Sequence, residues 1–579
     1  MGSVSSGPHA NTSTSVLGVG MYTPSRNASR KGNKRPGQET WVQRALTPVR
    51  VEKMAPWLEA YASKRGRAED AELLLTGFSS GFMIPYKDER MEGIPGNLKS
   101  AREYPGVLRE KIEKEVRLGR MAGPFVEPPF MNLRVSPLGV VPKKAPGQYR
   151  MIHHLSYPKG LSVNDGIDPE LVAVKYASFE KAVGLVRTAG LGALMAKADV
   201  ESAFRLLPVH PRCHHLLGCE MDGSFFVDLC LPMGCSISCS YFERFSSFVE
   251  WVVKQTAGIS SMVHYLDDFL FVGPAGSAIC DRLVRAFGQV TEEFGIPVAA
   301  DKSEGPTTSL SFLGIQLDSI KMECRLPEDK VADLKSVIGR MLARKKATLR
   351  DIQSLLGKLN FACRIIPIGR IFCRRMSLLT TGVSDPRHHV RLSVEVKEDL
   401  KVWRTFLEDF NGQVIMQEIG WSDDQLCLFT DAAGAHGFGA YLNGQWCAGR
   451  WPEVWTEWGL TKNLTFLELF PLVVALKIWP EQLGNKRVCF HSDNQGVVWA
   501  INRLTANSPA VIRLLRVFVL ECLRCNISFR AVHVPGRFNV IADALSRFQW
   551  DRFREVAPGA ERDGVACPED LWYLGCQEC

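Results

Sequence analysis

Two adjacent carboxylates set the first question of chemistry. Asp267 and Asp268 lie in MVHYLDDFLFV, between the apolar runs 262–266 and 269–272. Short runs rich in β-branched and aromatic residues on either side of a polar pair predict strand, tight turn, strand. A turn at a sheet edge projects both carboxylates into one place, where like charges repel unless a cation neutralises them. Magnesium suits the task, since it prefers hard oxygen ligands and admits substrate phosphates into its shell. Alone, the pair also fits a solvated surface hairpin. Upstream, LMAKADVESAFRLLPV reads as an apolar strand ending at Asp199, with Phe204 five positions later. Asp199 beside Asp267 would complete a two-metal site for in-line displacement, one ion at the attacking hydroxyl and one on a triphosphate. Phe204 would close the floor beneath the sugar and leave no room for a ribose 2′-OH; a core residue at a helix start is the other reading. In SPLGVVPKKAPGQYR, Lys143, Lys144 and Arg150 share a predicted hairpin. Arg binds phosphate oxygens as a fork and Lys as a point charge, although a solvated hairpin also carries such residues.

A second set of acids follows Trp421. LCLFTD is a predicted strand ending at Asp431, and Gly437–Tyr441 reads as the next strand after a turn. TFLELFPLVVAL sets Glu468 on an otherwise apolar helix, where an unpartnered acid is expensive. VCFHSD is another strand ending in an acid, Asp493, and VHVPGRFNVIADALSR carries Asp543 on a last helix. Each acid alone would serve as a helix cap, a turn or a solvated face. The four in order suggest a second two-metal site, one that directs water at a phosphodiester.

The elements that must position these groups are legible in outline. At 579 residues, 46% of them hydrophobic, the chain has room for several domains with real cores. Its start, MGSVSSGPHANTSTS, lacks the charged-then-apolar order of a secretory signal, and no apolar run reaches membrane-spanning length. Seventeen cysteines without a secretory signal are expected to be reduced thiols of a cytoplasmic or nuclear protein. Cys522-x-x-Cys525 and Cys576-x-x-Cys579 lack a second ligand pair at zinc-finger spacing. The net charge is +8, and residues 1–50 hold seven Lys/Arg against the single acid Glu39, which leaves +2 for the rest. That segment is expected to be a disordered basic tail, able to hold nucleic acid or simply solvated.

Residues 51–125 predict a helical prelude that packs on the strands after it, broken by glycine and proline at 77–95 and 123–129. Residues 159–165, KGLSVND, read as a turn with no assigned chemistry. Residues 327–381 return to a helical period through Leu349, Ile352, Leu355, Leu356 and Leu359, accompanied by Arg344, Lys345, Lys346, Arg364, Arg370, Arg374 and Arg375. Those cations would track duplex phosphates or form an ordinary solvated face. His388-His389 is expected in a loop.

Five motifs in order carry a resemblance. Asp199 with Phe204, Leu231-Pro232-Met233-Gly234, Tyr265-Leu266-Asp267-Asp268, Lys302 in AADKSEG and Phe312-Leu313-Gly314 in LSFLGIQLD resemble retroelement reverse transcriptases over residues 126–325. The resemblance implies a right-hand polymerase, with Asp199 and Asp267 as metal ligands and Asp268 as a supporting carboxylate in the same metal site. It implies Lys143 and Arg150 on the triphosphate, Gly234 and Phe204 at the incoming nucleotide, Lys302 as proton donor to pyrophosphate, and Phe312, Leu313 and Gly314 at the primer end. Met233 stands where many relatives carry Gln, and His154 where Asp is frequent. Neither departure removes a metal ligand.

The later acids resemble the ribonuclease H fold over residues 421–550, which implies Asp431, Glu468, Asp493 and Asp543 as catalytic metal ligands. The His that many such nucleases carry in the loop before the last acid is replaced here by Gly536-Arg537, and His533 falls on the preceding strand. HHLSYPKGLSVND, LPMGCSISCSYFERF and HVPGRFNVIADALSR most resemble the DIRS/Ngaro type of retroelement, with gypsy-type elements next.

The expected architecture is therefore a multidomain α/β (α+β) chain. It comprises a basic tail at 1–50, helices at 51–125, fingers and palm at 126–325, thumb and connection helices at 326–420, a ribonuclease H domain at 421–550 and a tail at 551–579. The expected activity is RNA-directed DNA polymerase with fused ribonuclease H. Two Mg2+ are expected per active site, with Mn2+ as an alternative. The implied partners are an RNA template, a DNA primer, an RNA–DNA hybrid and deoxynucleoside triphosphates, with no membrane and with a recombinase or integrase encoded separately by the element. The competing expectation is a decayed or domesticated copy that only binds nucleic acid. Decay strikes carboxylates at random, yet all seven acids are retained. An RNA-dependent RNA polymerase is disfavoured by Phe204 and by the attached nuclease.

Overall fold

The computed structural model describes residues 47–87, 93–143, 147–409, 413–414, 426, 428–484, 486–525 and 527–575. Most of the basic tail, Lys144 and the pair Cys576/Cys579 lie outside them. No helix among the described residues is long and apolar enough to cross a membrane.

A four-stranded antiparallel sheet occupies the centre of the N-terminal unit. Its order is Met262–Tyr265, Asp268–Gly273, Leu194–Asp199, Glu304–Thr307. Both faces are covered, and the period of two along a strand decides which residue goes where. Met195, Val263, Leu270 and Val272 face the helix Phe179–Ala189 and the core beyond it. Ala196, Ala198, Met262, Phe269 and Phe271 face Phe242, Phe245 and Phe248 of the helix Ile237–Ala257, together with Phe287 and Phe294 of Ile279–Phe294. The N-terminal helices Val51–Ala62 and Ala68–Ser80 close over this second layer. Tyr61 meets Phe248 edge-on at 5.4 Å, and Phe78 lies 5.0 Å from Phe245.

Two local expectations change. The second helix runs through Gly77, because the ring of Phe82 lies where a Cβ would sit. The helical pattern does end before Gly123, which lies in a strand, Met121–Phe125, where the pairing with Ser224–Asp228 shifts register. His389 is in a strand, His389–Arg391, laid against Lys346–Thr348 at the start of the helix Leu349–Ala362. The 327–381 region thus holds the helices Glu328–Ala343 and Leu349–Ala362 with the strand Lys346–Thr348 between them, followed by a 3-10 turn, Pro367–Cys373, and the short helix Arg374–Leu378. Of its basic residues, Arg375 turns inward toward Asp399 while Arg344, Lys345, Lys346, Arg364, Arg370 and Arg374 stay exposed.

The C-terminal unit holds an antiparallel meander, Leu428–Ala433, Gly437–Leu442 and Gln445–Arg450, and a parallel pair, Arg487–Ser492 with Ser528–His533. The helix Leu464–Ile478 is apolar all round and buried between the meander and the helix Pro509–Arg524. Gly439 permits the helix Val540–Ser546 to cross closely: an added Cβ would fall 2.4 Å from that of Leu545. Both units thus mix helix and sheet, the α/β (α+β) class expected from the sequence. The region beyond 550 is not a loose tail. Trp550 and Phe553 pack on Trp446, and Trp572 lies among Phe438, Trp455 and Phe470.

One hydrophobic core runs from the sheet through the 327–409 helices into this second unit. At the junction Asp399, fully buried on the helix Val394–Asp409, meets Arg516 of Pro509–Arg524, whose guanidinium also covers the ring of Phe372 at 4.5 Å.

Candidate active sites

The first acid group sits at one end of the central sheet. Asp199 ends its strand directly opposite Asp268, and Tyr265 pairs with Asp268 across a two-residue loop, Leu266-Asp267. Leu266 has φ of +53°, a conformation that a branched side chain adopts only under restraint. The Asp267 carbonyl accepts from the amide of Val200 at 3.0 Å, which ties the loop to the end of the Asp199 strand. Burial raises the Asp267 carboxyl, and Asp199 adds to the rise. Burial, then Asp267 and Asp199, push Asp268 up to about 6. Lys302 donates to Asp199 Oδ1 at 2.7 Å and partly offsets the repulsion.

Arg150 stands on the strand Tyr149–His153, opposite Val141, near enough for its charge to lower Asp267. Lys143 lies exposed just past the neighbouring strand Leu138–Pro142. Phe204 is half-buried in the turn Ala203–Leu206 with its edge against Phe242 at 5.6 Å. Gly234 is required by close approach, since a Cβ there would fall 1.8 Å from the His153 carbonyl. Asn164 holds the Gly234 segment at both ends, donating to the Gly234 carbonyl and accepting from the Ser236 amide, each at 2.9 Å. The KGLSVND segment therefore has a positioning task that its sequence did not disclose. Phe312 departs from expectation: its ring is in the core, leaving Leu313 and Gly314 as the turn between Ser309–Phe312 and Ile315–Asp318. Lys330 donates to the Gly314 carbonyl at 2.8 Å.

The second acid group is tighter. Asp431, Glu468 and Asp493 each offer an oxygen, all within 4.8 Å of one another. Strand registry delivers Asp431, the buried helix delivers Glu468, and Asp493 follows the strand Arg487–Ser492. Ser546 donates to Asp431 Oδ2 at 2.6 Å, and Asn539 donates to the Thr430 carbonyl at 2.8 Å. Neither residue stands out from sequence, although both lie in the stretch NVIADALSR. Asp543 stands apart from the three, held by Arg547 and Arg552 at 2.7 Å each; against the cost of burial, those cations keep its carboxyl below the usual range. Gly536 approaches Asp493 so closely that a Cβ would lie 2.7 Å from Oδ2, and His533 contacts the Asp493 carbonyl through Nε2 at 3.1 Å.

Burial, reinforced by Asp431 and Asp493, pushes Glu468 up to about 9, and burial, with Asp493 and Asp543 adding, raises Asp431 to about 6. A donor set made only of carboxylate oxygens, with its charges unneutralised, fits a hard divalent cation. Linkage makes this measurable. A carboxyl whose folded value exceeds its unfolded one retains its proton in the folded state, so without divalent ions its contribution falls as pH rises from the ordinary value of 4.5 through about 9. Thermal melts in chelator should therefore show stability declining between about pH 5 and pH 8, with Glu468→Gln flattening the decline. Added Mg2+ should raise the melting temperature more at the higher pH, because it binds only the folded, deprotonated site.

Residues 141–317 match the family model for reverse transcriptase (RNA-dependent DNA polymerase). The chain carries a reverse transcriptase domain. The match takes in Asp199, Asp267, Asp268, Lys302 and the 312–314 turn, and it ends before the second acid group. Similar proteins are retroviral and retrotransposon polyproteins. The Gag-Pro-Pol polyprotein of Human T-cell leukemia virus 3 (strain Pyl43) is 26% identical over 269 residues, covering 45% of this chain and 17% of the polyprotein. The Transposon Tf2-7 polyprotein of Schizosaccharomyces pombe is 22% identical over 463 residues, covering 76% of this chain and 31% of its own length. The chain thus spans less than a third of these relatives. Among solved structures, the foamy viral protease-reverse transcriptase in complex with RNA/DNA hybrid aligns at 14% identity and TM-score 0.46, over 85% of this chain and 64% of that one.

Proposed function

We propose that the chain copies RNA into DNA at the Asp199–Asp267–Asp268 group and cleaves the RNA of the resulting hybrid at the Asp431–Glu468–Asp493 group. The observation that carries this reading is the pair of separate carboxylate groups, each clustered beyond what unneutralised charge tolerates, on one chain with a reverse transcriptase domain. Two divalent ions per site, magnesium in our reading and manganese as an alternative, would lower the barrier by stabilising the attacking and leaving oxygens.

The remaining tasks fall to the protein. Asp199 and Asp267 would hold the cations, with Asp268 beside them. Lys143 and Arg150 take the triphosphate oxygens, and Gly234 lets its segment, at the incoming nucleotide in our reading, lie directly against the His153 carbonyl. The primer 3′ oxygen attacks the α-phosphorus, the α–β bond breaks, and Lys302 supplies a proton to the departing pyrophosphate. Leu313 and Gly314 present the turn that meets the primer, with Phe312 anchoring it from the core. In the nuclease, Asp543 completes the acid set once its arginine partners yield. The motif strings favour a DIRS/Ngaro-type element over a gypsy-type one.

The deciding experiment is primer extension on poly(rA)/oligo(dT) with Mg2+, run beside cleavage of the same hybrid labelled in its RNA strand. Extension and cleavage by the full chain are expected. A folded chain that retains the hybrid on a filter but does neither would leave only a nucleic-acid-binding remnant. Phe204 gives a sharper result: Phe204→Ala should raise ribonucleotide incorporation relative to deoxynucleotide by about a hundredfold, the scale on which a pocket wall excludes a hydroxyl. Competition assays with matched nucleotides read this directly.

A further inference from the structure

Behind the Leu266-Asp267 loop lies a buried group of charges that neither acid site includes. His264 points from its strand into the helix Ile237–Ala257, where Glu243 and Glu250 share one face two turns apart. His264 Nδ1 meets Glu250 Oε2, and His264 Nε2 meets Glu243 Oε1 at 3.1 Å. A carboxylate only accepts, so both ring nitrogens donate and the ring is an imidazolium. Glu250 also accepts the His264 amide at 3.1 Å and pairs with Lys254. The second oxygen of Glu243 accepts the amide of Leu266, at 3.3 Å. Glu243 therefore holds two consecutive inward-facing positions of the hairpin, and the second is the residue with positive φ that immediately precedes Asp267.

We infer that Glu243 and His264 are positioning residues for the polymerase reaction, fixing from behind the strained loop that aims Asp267. This rests on the polymerase function proposed above. A left-handed Leu persists only where its surroundings over-determine it, and the Glu243 acceptor is the polar contact made to its amide. All of these groups are at least two-thirds buried from solvent, so the restraint acts in a low dielectric, where a charged hydrogen bond is strong. Glu243 and His264 touch neither nucleotide nor cation. Their effect is on where a carboxylate points.

Single-nucleotide extension kinetics with the full chain test this. Glu243→Ala should lower kcat by about tenfold to a hundredfold, the cost of a misplacement near 1 Å, with KM for the nucleotide changed less than threefold. Hybrid cleavage by the same preparation should be unchanged. Glu243→Gln should recover most of the rate, because its amide oxygen still accepts from Leu266 while its NH2 faces a neutral His264. A Glu243→Ala protein with unaltered kcat overturns the inference, and so does one losing extension and cleavage in parallel. A wild type that does not extend at all refutes the polymerase reading instead, before any variant is compared.

Discussion

Asp267→Asn should abolish primer extension while hybrid cleavage by the same protein continues. The substitution keeps the shape of the side chain and removes the charge at the loop between Tyr265 and Asp268, where burial and the neighbouring carboxylates raise the proton affinity of Asp267 and Asp268. Charge stabilisation by a bound cation at such a centre amounts to several kcal/mol, so a loss on the order of a thousandfold or more in rate is expected. Folding should not suffer. In the absence of cations the variant relieves repulsion against Asp199 and Asp268, and its melting temperature in chelator should equal or exceed that of the wild type. The reciprocal variant, Asp493→Asn, should stop cleavage and spare extension. Loss of both activities in either variant would mean that the two acid groups do not work independently.

The second large effect is on stability. Arg516→Met should destabilise the chain by about 3–5 kcal/mol, because it strands the fully buried Asp399. Arg375, partly exposed and 3.6 Å from Asp399, remains as a weaker partner, which places the expected loss toward the lower end of that range. Burial already raises the Asp399 carboxyl in the wild type, and its Oδ2 has no hydrogen bond. The double variant Asp399→Leu/Arg516→Met should regain most of the loss, since an apolar pair of similar volume avoids the desolvation cost. Denaturant unfolding of the four proteins in the cycle measures the coupling directly; a coupling near zero would show that the buried pair does not join the two units.

How far these sites were legible in the sequence depends on what each residue needed. Asp199 and Asp493 were readable because each ends or directly follows a short apolar strand, a pattern local in sequence, whereas Asp431, expected at a strand end, lies inside the strand Leu428–Ala433. Glu468 was readable as an acid that an apolar helix could not otherwise tolerate. The pairing of Asp543 with Arg552 was not, because it depends on how the chain turns after Val540–Ser546 to begin Trp550–Val556. Phe312 sits in a primer-end motif, yet registry puts its ring in the core, and a motif does not say which face of a strand is wet. Glu243 and Glu250 show the right helical spacing, but nothing local reveals that the strand opposite them carries His264. Trp572 falls in the expected C-terminal tail, because its partner Phe470 lies about a hundred residues away.

The continuous core and the Asp399–Arg516 contact have an evolutionary consequence. Chains of this kind could in principle exchange their C-terminal units by recombining between the helix Val394–Asp409 and the meander that begins at Leu428. Here that crossover would split a buried ion pair and an apolar interface at once. A hybrid inheriting Asp399 from one parent and a mismatched residue at 516 from the other starts with a deficit comparable to the whole stability of many domains. Selection would then favour inheritance of the two units as a single block, and their phylogenies should agree branch by branch.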